Sequence, residues 1–516
     1  MQRLLIPFLS VVGFATSVGA QPAPDAQPPP PAPSPTDPPP TVAAGTAGQP
    51  EASAGKMGGD SPAGSEAPKA GSEQAPNPDG AMKPKEEAEA KLGPPPPLTW
   101  HGVTLSGTVD VGLAHLTHGA PISPTYGPSL PFVLQNYSNR PITSVANNGL
   151  SQSKIGLAGV ESLGVLDLKG LFKLDTGFQP ASGRLTDGPK SLVDNNGLAA
   201  AKKISSGDSG RAGQAINGVA YVGLGSKMLG TLTFGRQNTL MADDLLKYDP
   251  QLQSQAFSPI GYSGTSGGFG DTEDKTLDDS IKYTFGYGPV RVAGFLQLGK
   301  PHFLPEGAYA VDVGADFAGL SVDAVYGKTL GEVAAASLSA TQVMTAAPGT
   351  LAGTISDNTG FAIMASYDAK PVKLYGGYEY MKFENPKDTI PAGAVTIGGY
   401  VLSVVNNTAY NIAKTLQYAW GGVRYSASPR LEITGAYYHF IQNSFNSTPT
   451  GMGCSDNSAT SCSGTFEDAS LVVDYRLSSR FDTYAGVNYT HAADGLASGF
   501  LNTDDVATMV GVRFNF

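Results

Sequence analysis

Acidic residues crowd one stretch of this 516-residue chain: Asp243, Asp244, Asp249, Asp271, Glu273, Asp274 and Asp278 all fall within residues 237–278, around a glycine-rich run from Gly261 to Gly270. Basic residues are distributed differently. Lys154, Lys169, Lys173, Lys282 and Arg291 stand singly in short segments where apolar and polar residues alternate, and Arg236 sits at the entry to the acidic stretch. Carboxylates on one side of a narrow water-filled gap, with ammonium and guanidinium groups on the other, would set up a transverse field that orders polar solutes and filters ions by sign. The same acidic composition also suits a loop that simply lies in solvent.

Bond-making chemistry is poorly supplied. A nucleophile needs a base held against it, and the six histidines, His101, His115, His118, His302, His439 and His491, are scattered along the chain. His439, with Ser444 a few residues on, is the nearest candidate pair and reads more simply as a strand residue near the water interface. An enzyme is therefore not expected. Cys454 and Cys462 fall in one polar loop; in an exported protein they most simply close a small disulfide loop, and two thiols without a neighbouring histidine do not make a metal site. No metal or other cofactor is expected. The net charge of −11 argues against a nucleic-acid partner.

The elements that must position the charges are short strands. Residues 507–516 read ATMVGVRFNF, which at period two puts Thr508, Val510, Val512, Phe514 and Phe516 on one face and Met509, Gly511, Arg513 and Asn515 on the other. In residues 165–176, Leu166, Leu168, Phe172 and Leu174 share one face, opposite Asp167, Lys169, Lys173 and Asp175. In residues 279–287, Ile281, Tyr283, Phe285 and Tyr287 lie opposite Ser280, Lys282 and Thr284. A charge at the midplane of a bilayer costs ~2–4 kcal/mol, so the charged faces must point inward, and an interior lined by charges is wet. A hydrophobic content of 41% with mean hydropathy −0.11 is too polar for a bundle of membrane helices, whereas a strand crosses in ~10 residues with half of them facing water. Tyr378, Tyr380, Tyr437, Tyr438, Tyr484 and Tyr489 lie near strand ends and suit interfacial girdles, with ordinary strand tyrosines as the alternative.

Two kinds of connection alternate along the chain. Short ones with turn chemistry fall at 162–164, 225–230, 286–289, 316–319, 368–371, 426–429 and 477–479. Long polar ones fall at 119–150, 180–213, 237–278, 301–306, 332–358, 385–413, 446–464 and 492–503. Seven turns between eight loops give about sixteen strands, an even number, as a single-chain outer-membrane barrel requires. The fold class is all-β: a transmembrane antiparallel β-barrel over residues 98–516, preceded by a disordered segment.

Residues 1–20 carry one basic residue, Arg3, then an apolar run from Leu4 to Val12 and small residues ending at Ala20, the pattern of a secretory signal peptide cleaved before Gln21. Residues 21–97 are built of Pro, Ala, Gly, Ser, Glu and Lys, which cannot bury enough surface to offset the entropy of ordering. This segment reads as a periplasmic tether, or, more sharply, as a contact with peptidoglycan.

From Val103 to Phe516 the chain resembles the general diffusion porins of Gram-negative outer membranes. The matching pieces are, in order, VTLSGTVDVGL, SKIGLAGVESLG, LGTLTFGRQ, DDSIKYTFGYGPVRVAGFLQLG and the terminal VGVRFNF. The resemblance implies a sixteen-stranded homotrimer in outer-membrane lipid, passive diffusion of small hydrophilic solutes and ions, and loop 237–278 folded inward as constriction. It also implies that the C-terminal aromatic, here Phe516, is read by the outer-membrane assembly machinery. Lys154 stands where such porins often carry arginine and cannot make a bidentate fork, and Ala158 stands at the second basic position of that motif. Arg236 matches the family, yet alternation from Leu232 and Phe234 points it at lipid, so the strand must end or bulge there. Two alternatives stay open: a porin selective for anions or sugars, and a structural barrel that anchors the outer membrane to the cell wall.

Overall fold

The computed structural model describes residues 97–118, 140–165, 167–199, 202, 213–260, 276–298, 307–391, 395–397, 400–443, 463–497 and 501–516. The expected signal peptide, all but the last residue of the expected tether, and both cysteines, Cys454 and Cys462, lie outside the described residues.

Alternation produces the expected strands. They are β1 (Val103–Leu116), β2 (Ile142–Asn147, resumed at Lys154–Ser162), β3 (Lys169–Gln179), β4 (Ala220–Ser226), β5 (Gly230–Asn238), β6 (Thr276–Tyr287), β7 (Val290–Gln297) and β8 (Gly307–Phe317). The second half continues with β9 (Leu320–Ala336), β10 (Leu351–Ala369), β11 (Val372–Glu384), β12 (Lys414–Ser426), β13 (Leu431–Gln442), β14 (Gly464–Arg476), β15 (Phe481–Asp494) and β16 (Asp504–Asn515). Each strand pairs antiparallel with the next, and β16 returns to β1 from Thr108↔Asn515 to Leu116↔Ala507, which closes a sixteen-stranded barrel. Closure leaves no edge, so strand N–H and C=O groups can pair within the barrel rather than with water. Among the described residues no helix is long and apolar enough to cross a membrane.

The two faces separate as the pattern requires. In β16, Val510 is 54% exposed on the outer wall while its neighbour Met509 is 4% exposed inside. The same rule corrects the tyrosine girdle. Tyr437 and Tyr489 do face outward, but Tyr438 is fully buried and Tyr484 almost so, both pointing inward, because adjacent residues on a strand must face opposite sides. At the chain's end, the N–H and carbonyl of Phe516 exchange hydrogen bonds with those of Gly107 at 3.0 and 2.9 Å, and the Phe516 ring packs on Phe514. Leu98–Trp100 folds back on the start of β1, along the same edge that β16 occupies further up.

The long connections are more ordered than their polarity suggests. Most of the expected loop 332–358 is hairpin, because β9 and β10 stay paired from Glu332↔Ser356 to Ala336↔Ala352. Val333, Leu351 and Ile355 there bury themselves with Ile390, Tyr400 and Leu402 of the sixth long loop, and Leu192 and Val193 pack against them. Those last two belong to a short helix, α1 (Gly188–Asp194), capped by the Asp187 carboxylate.

Between its halves β2 leaves the sheet. The Asp110 carboxylate fills that gap, accepting the N–H groups of Leu150 and Ser151 at 2.8 Å each and the Tyr484 hydroxyl at 2.6 Å. Removing this acceptor strands buried donors, at ~1–3 kcal/mol apiece. We expect Asp110→Ala to lower the melting temperature of the folded barrel, followed as the heat-dependent mobility shift on unboiled gels, and Asp110→Asn to fall between it and the wild type. A melting temperature unchanged in Asp110→Ala would show that water replaces the carboxylate at no cost.

Candidate functional site: the loop inside the barrel

The third long connection begins with a helix that periodicity did not reveal. Thr239 caps α2 (Leu240–Tyr248) by accepting the Ala242 N–H at 3.2 Å, with Asp243 in the first turn and Lys247 in the last, both favourable to the helix dipole. Leu240, Met241, Leu245 and Tyr248 are buried against inward-facing Tyr418, Trp420, Tyr438, Phe440 and Phe466 of β12, β13 and β14. Tyr418 and Phe440 stack at 3.9 Å between centroids. The interior is therefore not wet throughout: on this side the loop and the wall form an apolar core.

Beyond α2 the chain follows the wall. Trp420 Nε1 donates to the Tyr248 carbonyl at 3.0 Å, and Arg424 Nη2 to the Pro250 carbonyl at 2.6 Å. The Gln251 side chain reaches Ser470 of β14 at 2.9 Å. Phe257 meets Tyr484 of β15 edge to face, and Ser254 Oγ donates to the Gly149 carbonyl in the β2 gap at 2.7 Å. Two wall glycines make room for this course. A Cβ on Gly422 would stand 2.4 Å from the Pro250 ring, and one on Gly486 would stand 2.6 Å from the Phe257 ring.

Four of the loop's acids lie within the described residues, and Asp243, Asp244 and Asp249 have three different surroundings. Asp243 is half exposed and bonded to Lys282 of β6 at 2.6 Å. Asp244 is buried close to Asp312 of β8 and Asp323 of β9; burial first, then Asp312, Asp323 and Asp243, push its pKa up to about 8, against a smaller pull from Lys247. Asp249 is fully buried and accepts hydrogen bonds from Tyr438 at 2.5 Å, Ser258 at 2.8 Å and the N–H groups of Gln251 and Gln253. Burial raises its pKa even against these donors. Its carboxylate faces the loop's own backbone and β13, not open lumen. Asp271, Glu273 and Asp274 lie outside the described residues.

The basic residues do not form one facing wall. Lys282 and Arg291 do face the interior, and Arg291 bonds both oxygens of Asp323, at 2.8 and 2.9 Å, and also Asp316. Lys154 starts the second half of β2, opposite Thr108 and Gly177, and Lys173 lies opposite Tyr221 on β4. Lys169 is the exposed first residue of β3, at its short-turn end. The bulge expected near Arg236 is present: the β5–β6 register shifts between Gly235 and Gln237, with Asp279 at φ 53°. Arg236 Nε then donates to the Gly218 carbonyl at 2.8 Å and Nη1 to Asp278 at 2.8 Å, which ties down the root of the loop. One wall partner was missed from the sequence. Asp323 receives the loop's Lys247 at 2.6 Å, so a cation on the loop faces an acid on the wall, the reverse of the Asp243–Lys282 contact.

A closed sixteen-stranded membrane barrel with a long loop seated in its lumen defines an outer-membrane channel. The chain belongs to the Gram-negative porin family, whose model matches residues 87–495. No curated protein sequence matches it. Among solved structures it is similar to an anion-selective porin from Comamonas acidovorans, with TM-score 0.52, 15% identity, and 80% of this chain and 99% of that chain covered. It is also similar to OmpT, an outer membrane protein of Vibrio cholerae, with TM-score 0.51 and 13% identity over 81% of this chain and 99% of that one. A trimer form of in-vitro folded OmpT from Vibrio cholerae gives TM-score 0.50 and 14% identity over 80% and 99%. Identities this low speak for the fold alone. The family membership makes the protein a multi-pass outer-membrane porin, a channel for passive diffusion.

Two outcomes follow from this geometry. Gly486→Val must displace Phe257, and overpacking of this kind costs ~1–3 kcal/mol; in single-channel recordings the variant should show larger and noisier steps than the wild type, and steps of equal size would mean that the loop's far end does not limit the opening. Asp244 carries a proton below about 8 and a charge above it. Raising the pH through that value in chelated buffer should shift the reversal potential under a salt gradient toward cations, and Asp244→Asn should abolish that part of the shift.

Proposed function

We propose that loop 237–278 is the constriction of a general diffusion porin, through which small hydrophilic solutes and ions pass down their gradients, and that three copies of the chain assemble as a homotrimer. The observation that carries this reading is the attachment of the loop by its backbone, its buried acid, Asp249, and the Gln251 and Ser254 side chains to β12, β13, β14 and the β2 gap. A loop held at so many points has a fixed position, so the passage left beside it has a fixed size. Asp243, Asp244, Lys282 and Arg291 supply the charges nearest that passage, and Asp249 serves to seat the loop. The trimer form of a similar barrel supports the homotrimer. Phe516, seated at the β1–β16 seam, is the proposed signal for the assembly machinery, and residues 21–97 a proposed tether or peptidoglycan contact.

Selectivity for anions is favoured by one feature of the wall. Lys373 of β11 and Arg424 of β12 are directly opposed, and both cations stand over the Tyr375 ring, at 4.9 and 5.5 Å. Arg424 is ion-paired with Glu432 at 3.3 Å, so Lys373 is the cation of this pair that a passing anion would meet.

The test is single-channel current in planar bilayers for the wild type and for Asp249→Ala combined with Tyr438→Phe, which releases the loop at its buried anchor. Large ohmic steps in the wild type, rising in the variant, are expected. Absence of conductance from protein shown to be folded, or equal steps in a variant whose loop has become sensitive to protease, overturns the constriction reading. Lys373→Gln should move the reversal potential away from anions if the second reading holds, and unboiled gels report the trimer.

A further inference from the structure

Where α2 meets the wall, three acids from three elements converge. Asp244 of α2, Asp312 of β8 and Asp323 of β9 each offer one carboxylate oxygen, and these oxygens all lie within 4.8 Å of one another. The three residues are 9%, 8% and 1% exposed. Asp323 already receives Lys247, the Tyr248 hydroxyl and Arg291. In contrast, Asp244 Oδ2 and Asp312 Oδ1 are buried and accept no hydrogen bond among the described residues. Folded proteins rarely leave buried carboxylate oxygens without a partner, because the lost solvation is not recovered.

Charge points the same way. Asp244, Asp312, Asp323 and Asp316 set four carboxylates against two cations, Lys247 and Arg291, while Asp243 is balanced separately by Lys282. With all four ionised, two negative charges are left over. The three oxygens, all within 4.8 Å of one another, are close enough to share one ion, and Ca²⁺, with flexible coordination at about 2.3–2.6 Å, suits an irregular three-carboxylate site better than Mg²⁺, which demands near-ideal octahedral geometry. An all-oxygen donor set is that of a hard cation.

We propose that Asp244, Asp312 and Asp323 bind a divalent cation of the calcium class, with water completing its coordination. The ion cross-links the loop helix to β8 and β9 beside the Lys247–Asp323 ion pair, and offsets the repulsion among the three carboxylates.

The test uses the full chain refolded into detergent free of lipopolysaccharide, so that lipid phosphates do not compete, and it reads binding without any conductance. Calorimetry with Ca²⁺ measures affinity, and Tb³⁺ luminescence reports position, since Tyr248, whose hydroxyl lies 2.6 Å from Asp323, would act as sensitiser. Saturable binding of one ion per chain is expected, weakened about tenfold or more in Asp244→Asn and in Asp312→Asn and far less in Asp243→Asn. Folding of each variant is checked on unboiled gels, and either of the two ligand variants alone suffices. Failure of the folded wild type to bind Ca²⁺ overturns the proposal, as does wild-type affinity retained in both ligand variants. Proton uptake at the cluster with no competition from Ca²⁺ also overturns it, since protons would then be what neutralises the acids.

Discussion

A bilayer offers no hydrogen-bond partner to a peptide group, and that constraint dictates the rest of the molecule. It forces the strands to close on themselves, with β16 returning to β1. Closure fixes an inside and an outside, and period-two alternation then sends every second residue to one or the other. The charges have nowhere to go but inward. Packed into a shared interior, they must be balanced there, which is why Arg291, Lys247 and Lys282 each meet a carboxylate in direct contact. Fields between separated sheets of charge give way to ion pairs that local geometry decides one at a time.

The loop turns part of that interior into a protein core. Leu245 and Tyr248 pack against inward-facing aromatics as residues of a soluble domain would, and Asp249 is buried with a full set of donors. Wall and loop are fitted to one another: Gly422 and Gly486 have no side chain at the places where Pro250 and Phe257 press closest. A polar interior on one side and an apolar one on the other thus follow from a single connection between β5 and β6. The solute-accessible space is what that connection leaves unfilled.

The barrel was legible in the sequence because its signals are local. Alternation in residues 507–516 and turn chemistry at 316–319 depend on neighbours within a few positions, and they gave the strand number without knowledge of any pairing. The lumen was less legible because its signals are not local. Nothing near Asp249 announces that Tyr438, distant in the chain, donates to it. Asp312 and Asp323 read as ordinary inward polar residues until α2 is placed beside them. Some misses were avoidable. Tyr437 and Tyr438 cannot both belong to a girdle, and Thr239 followed by apolar residues at 240, 241, 245 and 248 is a capped helix in miniature. The hairpin extension in 332–358 was hidden by its small residues, whose burial depends on two other loops.

The gap in β2 carries a meaning for the order of events. Phe257 rests on Tyr484 of β15, the Tyr484 hydroxyl reaches Asp110 of β1, and Ser254 reaches Gly149 beside it. The receptor for the loop's far end is thus shared between the opening and the closing strands of the chain. It does not exist until β16 has zipped against β1. The loop is made early and its far end seated last, like a keystone that only a finished arch can accept, and a barrel that has failed to close would leave Phe257 without its complete seat.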